Sequence, residues 1–193
     1  PHIGEFRQNY PHIELQLNTH DLNIDLLEQS TDVAIRIGAL QNSTLHARHL
    51  ANSALKLLAS PDYLSRYGTP ETVEALEAHT LLGFTQPESL NLWPVRLANT
   101  DNKLTITPDM AASSGETLRQ LALAGQGIVC LSDFMTHEDV RNQRLVPVLP
   151  GLTEKQVQPI HAVYYRNSPL ALRIQSFIDF MQKTLSSQPW NCQ

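Results

Sequence analysis

Alternating and helical hydrophobic patterns follow one another along the chain, which predicts an α/β fold. Helices are expected at 3–10, 22–29, 61–67, 71–78, 113–124, 133–138 and 170–185. Strands are expected at 13–17, 32–38, 55–59, 80–84, 91–97, 103–107, 128–131, 145–149 and 160–166. Strand, helix and strand in this order imply a parallel sheet with right-handed crossovers. Such units usually begin with a strand, so we also expect a strand upstream of Pro1.

The order of these elements predicts two Rossmann-like lobes. Residues 1–59 build the first lobe, 60–165 form the second, and 166–185 return to the first. Two strands therefore cross between the lobes, and the cleft between the lobes is a natural place for a small molecule. We expect the tail, residues 186–193, to be disordered or derived from an expression vector.

Composition narrows the class of protein. The 193 residues are 41% hydrophobic and 17% charged, which is typical of a globular protein. A net charge of −5 without a basic cluster argues against nucleic-acid binding by these residues. No apolar run reaches the ~18 residues of a membrane-spanning helix. Cys130 and Cys192 form no disulfide framework, so we expect a reducing compartment, the cytoplasm.

Ser113 and Glu116 have the spacing of a capping box at the start of a helix. Plain helix capping is the more common role of such a pair. The alternative is a ligand site, because a helix N-terminus with small neighbours presents N–H donors to a carboxylate or another polar group.

Thr19 and His20 follow a predicted strand, on the side of the sheet where α/β proteins bind ligands. The alternative is that the next residue, Asp21, simply caps a helix. Arg36 is the odd polar member of an apolar strand. It either faces solvent or places a fixed positive charge in the cleft.

No catalytic or cofactor site is predicted. His46 and His49 resemble a metal pair, but a third ligand is lacking nearby, so a metal site has a prior below ~10%. Nucleophile elbows, Walker loops and dinucleotide fingerprints are absent from the sequence. We therefore expect no catalytic residue, no metal and no cofactor.

An ordered set of short motifs resembles the effector-binding domain of LysR-type transcriptional regulators. The motifs are FRQNYPHI at 6–13, DVAIRIG at 32–38, LHARHL at 45–50, LASPDYL at 58–64, AGQGIV at 124–129 and LVPVL at 145–149. Each motif is weak by itself, but their order is specific and covers nearly all of residues 1–185. The SSGE run at 113–116 is similar to one subgroup of the family.

This resemblance implies two lobes like those of type 2 periplasmic binding proteins, with a winged helix-turn-helix upstream that this chain lacks. It implies an effector held between the lobes. The implied lining residues are Asn18, Thr19, His20, Arg36, Ile37, Gly38, Phe84, Ser113, Ser114, Gly115, Ser132 and Phe134. A small carboxylate or a hydroxylated aromatic would suit hydroxyls and N–H groups at one end and apolar residues at the other.

The resemblance also implies partners. We expect a homodimer, assembling to a tetramer in the full-length protein, with DNA bound only through the absent N-terminal domain and no membrane contact. Two apolar stripes are candidates for the dimer surface: Ile3, Phe6 and Tyr10, and Leu118, Leu121 and Leu123.

Two other functions remain open. A solute-binding protein of a transport system shares the fold, and an upstream signal peptide in place of a helix-turn-helix would identify it. An enzyme is the third possibility, and it would require a clustered set of acid and base residues.

Overall fold

The computed structural model describes residues 2–19, 31–40, 45–97, 102–165 and 171–192. The helices in these ranges are α1 Ile3–Asn9, α2 Pro61–Tyr67, α3 Gly115–Leu123, α4 Asp133–Arg141 and α5 Leu172–Ser186. The strands are β1 Ala34–Ile37, β2 His46–Ala59, β3 Leu81–Phe84, β4 Leu92–Arg96, β5 Lys103–Thr105, β6 Met110–Ala112, β7 Ile128–Ser132, β8 Val146–Pro147 and β9 Val157–Tyr164. Short 3₁₀ helices lie at Glu74–Ala78 and Glu88–Asn91. In the described part of the chain, every helix is too short or too polar to span a bilayer.

The chain divides into two compact units. Residues 1–53 and 158–193 form the first unit, and residues 54–157 form the second. These divisions differ from the predicted ones at 59/60 and 165/166. The reason is that the chain passes from unit to unit within β2 and at the first residue of β9, whereas the prediction placed the boundaries at strand ends.

The core of the first unit is built around Phe6 of α1, which is fully buried. The Phe6 ring lies 5.3 Å from the ring of Phe177 and 5.3 Å from that of Phe180, both on α5. Tyr10 packs on the same ring at 4.8 Å. The stripe expected to form a dimer surface therefore packs largely inside its own unit. Leu118 of α3 is likewise fully buried, within the second unit.

Two predictions for the first unit differ from the structure or lie outside it. Residues 13–17 form no strand, and Leu17 is 64% exposed. A strand needs a neighbour to satisfy its backbone groups, and in the described ranges no strand pairs with this segment. The predicted helix at 22–29 lies outside the described residues. β1 does form, antiparallel to β9.

Part of the tail, residues 186–192, makes contacts within the first unit. α5 includes Ser186, and Asn191 forms an isolated bridge with Ser53. The Asn191 side chain accepts from the Asn52 N–H at 2.9 Å and donates to the Ser186 carbonyl at 3.0 Å. An amide side chain provides both groups, so Asn191 can anchor the segment from two sides.

The second unit contains a mixed sheet, with both parallel and antiparallel strand pairs. β3 is parallel to both β6 and β7. The second half of β2 is antiparallel to β7, and β8 is antiparallel to β2. The predicted pair of short antiparallel strands is present as β4 and β5, although most of the turn predicted between them, 99–101, lies outside the described residues.

Helix α2 follows its local sequence closely. The Ser60 hydroxyl accepts the Tyr63 N–H at 3.2 Å, and Pro61 occupies the first turn, where its missing N–H is not needed. Gly68 ends the helix with φ +85°, a conformation that favours glycine. Capping at both ends explains why this short helix was predictable.

A buried carboxylate joins α3 to α4. Asp139 on α4 is fully buried, and its oxygens lie 2.5 and 3.0 Å from Arg119 Nε and Nη2 on α3. Arg144 contributes a second guanidinium at 2.5 Å from Oδ1. The hydrogen bond to Asp139 raises the pKa of Arg119 above its ordinary value. The two cations compensate the charge that burial would otherwise penalise.

We expect Asp139→Asn to lower the free energy of unfolding by about 3 kcal/mol, because Arg119 would keep its charge without its buried partner. Urea unfolding followed by circular dichroism measures this loss. Asp62→Asn is the matched control, since it also removes an aspartate–arginine pair on a helix, but a solvent-exposed one. That control should change stability by less than about 1 kcal/mol, and equal losses in the two variants would contradict the assignment.

Candidate functional site

The parallel strands of the second unit bring several predicted site residues to one edge. Phe84 is the last residue of β3, Ser113 follows β6, and Ser132 is the last residue of β7. Phe84 pairs in register with Ala112. Because parallel strands end at the same side of a sheet, these positions form a common carboxyl edge, where α/β folds bind ligands. We call this group the carboxyl edge.

Helix α3 starts at this edge without the predicted capping box. Ser114, not Ser113, is the N-cap residue, and its side chain forms no capping hydrogen bond. Glu116 is then the second residue of the helix. In a capping box the glutamate is the third residue, from which its carboxylate can accept the backbone N–H of the N-cap residue. Its Oε1 accepts instead from Arg119 and Gln120, both at 2.8 Å. The Ser114 hydroxyl is therefore not engaged in capping.

Gly115 is closely approached by two apolar side chains. A Cβ atom at this position would lie 3.1 Å from Met135 Cε and 3.7 Å from Phe84 Cζ. Phe84 and Met135, both half-buried, thus lie beside the first turn of α3. Sequence reasoning found Phe84 but missed Met135, because a methionine in a helix is far more often an ordinary packing residue.

Helix α4 also begins at the carboxyl edge and carries a buried carboxylate whose pairing with a half-buried lysine was missed by sequence reasoning. Ser132 is its N-cap residue, and both Ser132 and Asp133 are buried. Asp133 Oδ2 lies 2.7 Å from Lys56 Nζ on β2 and 4.0 Å from His137 Nδ1. Phe134, the next predicted site residue, is half-buried. Lys56 and Asp133 are 77 residues apart in the sequence, so no local pattern signals their pairing.

The predicted site residues of the first unit lie in two segments. Asn18 and Thr19 are exposed and belong to no helix or strand, while His20 lies outside the described residues. Arg36 and Ile37 are on β1, and Gly38 follows it with φ +94° and donates to the Pro159 carbonyl at 2.9 Å. That these residues share a ligand with the carboxyl edge stays a prediction.

The histidine pair on β2 does not point to a metal. Residues three apart on a strand lie on opposite faces. The His46 ring stacks on Tyr164, and His49 Nε2 lies 2.9 Å from Asn52 Oδ1. In the part of the chain that the structure describes, no group of three potential ligands is placed to hold a metal ion.

The geometry defines a two-unit α/β domain, and comparison with known proteins gives its family. A model of the LysR substrate binding domain matches residues 1–186. The chain belongs to this family, as the ordered motifs predicted.

The similar proteins are transcriptional regulators. The chain is 44% identical over 187 residues to the HTH-type transcriptional regulator CrgA of Neisseria meningitidis serogroup B, covering 97% of this chain and 62% of the relative. The Escherichia coli regulator DmlR is 28% identical over 186 residues, covering 95% of this chain and 59% of the relative. The chain thus spans about three fifths of the length of these relatives.

Solved structures of similar proteins support the same family assignment. The CrgA regulatory domain from Neisseria meningitidis has a TM-score of 0.91 at 44% identity, covering 96% of this chain and 90% of that chain. Full-length AphB of Vibrio cholerae, described as a virulence activator, has a TM-score of 0.78 at 27% identity, covering 95% and 62%. The predicted fold class is confirmed, and a transport solute-binding protein is not favoured.

Cys130 lies on strand β7 of the second unit, and its thiol is more deeply buried than that of Cys192. Burial raises the pKa of the Cys130 thiol to about 12, so the nucleophilic thiolate is scarce at neutral pH. Cys192 is half-buried in the tail.

We expect the native protein to react rapidly with one equivalent of a thiol reagent such as 5,5′-dithiobis(2-nitrobenzoate) at pH 8. The second equivalent should react only in guanidinium chloride, because Cys130 is both protonated and shielded. Absorbance at the reporter wavelength counts the thiols. In Cys192→Ser the fast phase should disappear, and rapid labelling of that variant would show that Cys130 is accessible.

Proposed function

We propose that this chain is the effector-sensing regulatory domain of a bacterial DNA-binding transcription factor of the LysR type. The observation that carries the proposal is the family match over residues 1–186, together with the likeness to the CrgA regulatory domain. The relatives are regulators, so we propose no catalytic role. Because a bacterial transcription factor acts on DNA, we propose that the full-length protein is cytoplasmic.

The effector contacts the carboxyl edge of the second unit. Ser114 supports this assignment, because its hydroxyl forms no capping bond. It also precedes the first turn of α3, whose N–H groups have no acceptor within the helix. These donors and the positive end of the helix dipole suit a carboxylate or a phenolic oxygen. Phe84 and Met135 supply apolar contact beside them. A small carboxylate or a hydroxylated aromatic combines both features.

Effector binding regulates by a shift of conformational population. A ligand that binds one arrangement of the two units more tightly favours that arrangement in proportion to its differential affinity. In a homo-oligomer, a dimer or a tetramer, such a change would move the DNA-binding domains relative to one another. The apolar stripes of α1 and α3 are largely used in the fold, so the subunit interface must draw on other residues.

We expect Ser114→Phe to weaken binding of salicylate, a hydroxylated aromatic carboxylate, by at least about tenfold. The added ring would occupy the space beside Phe84 and cover the N–H groups of α3. Isothermal titration calorimetry measures the affinity. Stability should change little, because the serine makes no capping bond.

Ser65→Phe is the matched control, since Ser65 is an exposed serine on α2, away from the carboxyl edge. It should leave salicylate affinity unchanged. Equal affinity in Ser114→Phe and the wild type would place the site elsewhere, and a lack of binding to the wild type by both salicylate and benzoate would contradict the proposed ligand class.

The isolated domain should not bind DNA, because its net charge of −5 offers few phosphate contacts. Fluorescence anisotropy of a labelled duplex should not rise at about 10 µM protein in low salt, a concentration at which nonspecific binders respond. The full-length protein is the positive control and should bind with strong salt dependence. Salt-sensitive DNA binding by residues 1–193 alone would contradict the proposal that only the N-terminal domain of the full-length protein binds DNA.

A further inference from the structure

A cavity lies at the amino ends of the parallel strands β3 and β6, opposite the carboxyl edge. It has a volume of about 340 Å³, within the range of small-molecule sites. Leu81, which begins β3, and Asp109, which precedes β6, belong to its lining. β3 ends at Phe84, so the cavity and the carboxyl edge are about 10 Å apart along the strand. It is therefore a site separate from the carboxyl edge.

The floor of this cavity is apolar. Val73 and Leu76, from the segment around the 3₁₀ helix Glu74–Ala78, are almost fully buried, as is Ile106. Leu81 and Leu104 pack against the same core cluster. An apolar ligand body of a few carbon atoms would find continuous hydrocarbon there, and its burial would be favourable.

The rim of the cavity is acidic. Glu74, Glu77 and Asp109 belong to the lining, whereas the described lining residues include no lysine or arginine. Neither Glu77 nor Asp109 forms a salt bridge with a described residue. His79 does little to offset the negative charge, because burial lowers its pKa and so disfavours the charged imidazolium.

Asp109 is held in place before any ligand arrives. Its Oδ2 accepts the Leu81 N–H at 2.8 Å, and its own N–H donates to the Leu81 carbonyl at 2.9 Å. These two bonds fix the carboxylate at the amino end of the parallel strands. A fixed charge loses little entropy when it binds, which favours recognition.

We propose that this cavity binds a small organic cation with an apolar body, such as an alkylammonium group. The ammonium group would lie between Glu77 and Asp109, and the alkyl chain would cover Leu76, Leu104 and Ile106. Charge complementarity at the rim and hydrocarbon at the floor together select for this class over neutral or anionic molecules. The site is independent of the effector site at the carboxyl edge.

The test uses hexylammonium as the probe, with 1-hexanol and hexanoate as controls of equal chain length. Two-dimensional ¹H–¹⁵N spectra follow the backbone amides of Leu76 and Leu104. Hexylammonium should shift these resonances with a Kd on the order of 1 mM. 1-Hexanol should bind more weakly, and hexanoate should not bind. Equal binding of amine and alcohol, or no shift at about 10 mM amine, would overturn the proposal.

Glu77→Gln should weaken hexylammonium binding about threefold, the change that one exposed ion pair supports. Glu88→Gln makes the same charge change at an exposed residue outside the cavity lining and should leave the affinity unchanged. An equal effect of both substitutions would show that overall charge, not this cavity, attracts the amine. Salicylate affinity serves as a separate readout and should be unaffected by Glu77→Gln.

Discussion

The buried carboxylate of Asp139 determines how the second unit presents its candidate site residues. It binds Arg119 on α3 and Arg144 just after α4, so the two helices are joined by charge as well as by packing. Both helices begin at the carboxyl edge, one at Gly115 and the other at Asp133. A buried carboxylate is stable only when well-aligned donors surround it. Because Asp139 lies on α4 and Arg119 on α3, this alignment sets the position of one helix start relative to the other.

The parallel strands β3, β6 and β7 divide the chemistry of this unit between two ends. At their carboxyl ends, serine hydroxyls and a helix N-terminus favour anionic or phenolic groups, with Phe84 and Met135 nearby. At their amino ends, Asp109 and Glu77 favour a cation above an apolar floor. The same three strands thus carry the two proposed sites, which differ in polarity because strand direction places different loops at each end.

Elements whose ends are specified by neighbouring residues were predictable from the sequence. Helix α2 has a serine cap, a proline in its first turn and a glycine at its end, and it forms where those residues predict it. The segment 13–17 shows the opposite case: its alternation is that of a strand, but alternation specifies only faces, not a partner. The carboxyl-edge residues Phe84, Ser113 and Ser132 were predicted from the family resemblance, and Ser113 also from the spacing of a helix cap, whereas strand β6 before Ser113 was not predicted.

The sequence by itself determined the family and the α/β class, since short motifs and the periodicity of helices and strands are local properties. Only the tertiary structure decided which residue caps α3, because a shift of one residue moved Glu116 away from the position a capping box needs. It also decided the pairing of Lys56 with Asp133 and the approach of Met135 to Gly115. These contacts join residues far apart in the chain, and their distances depend on packing that no local pattern encodes.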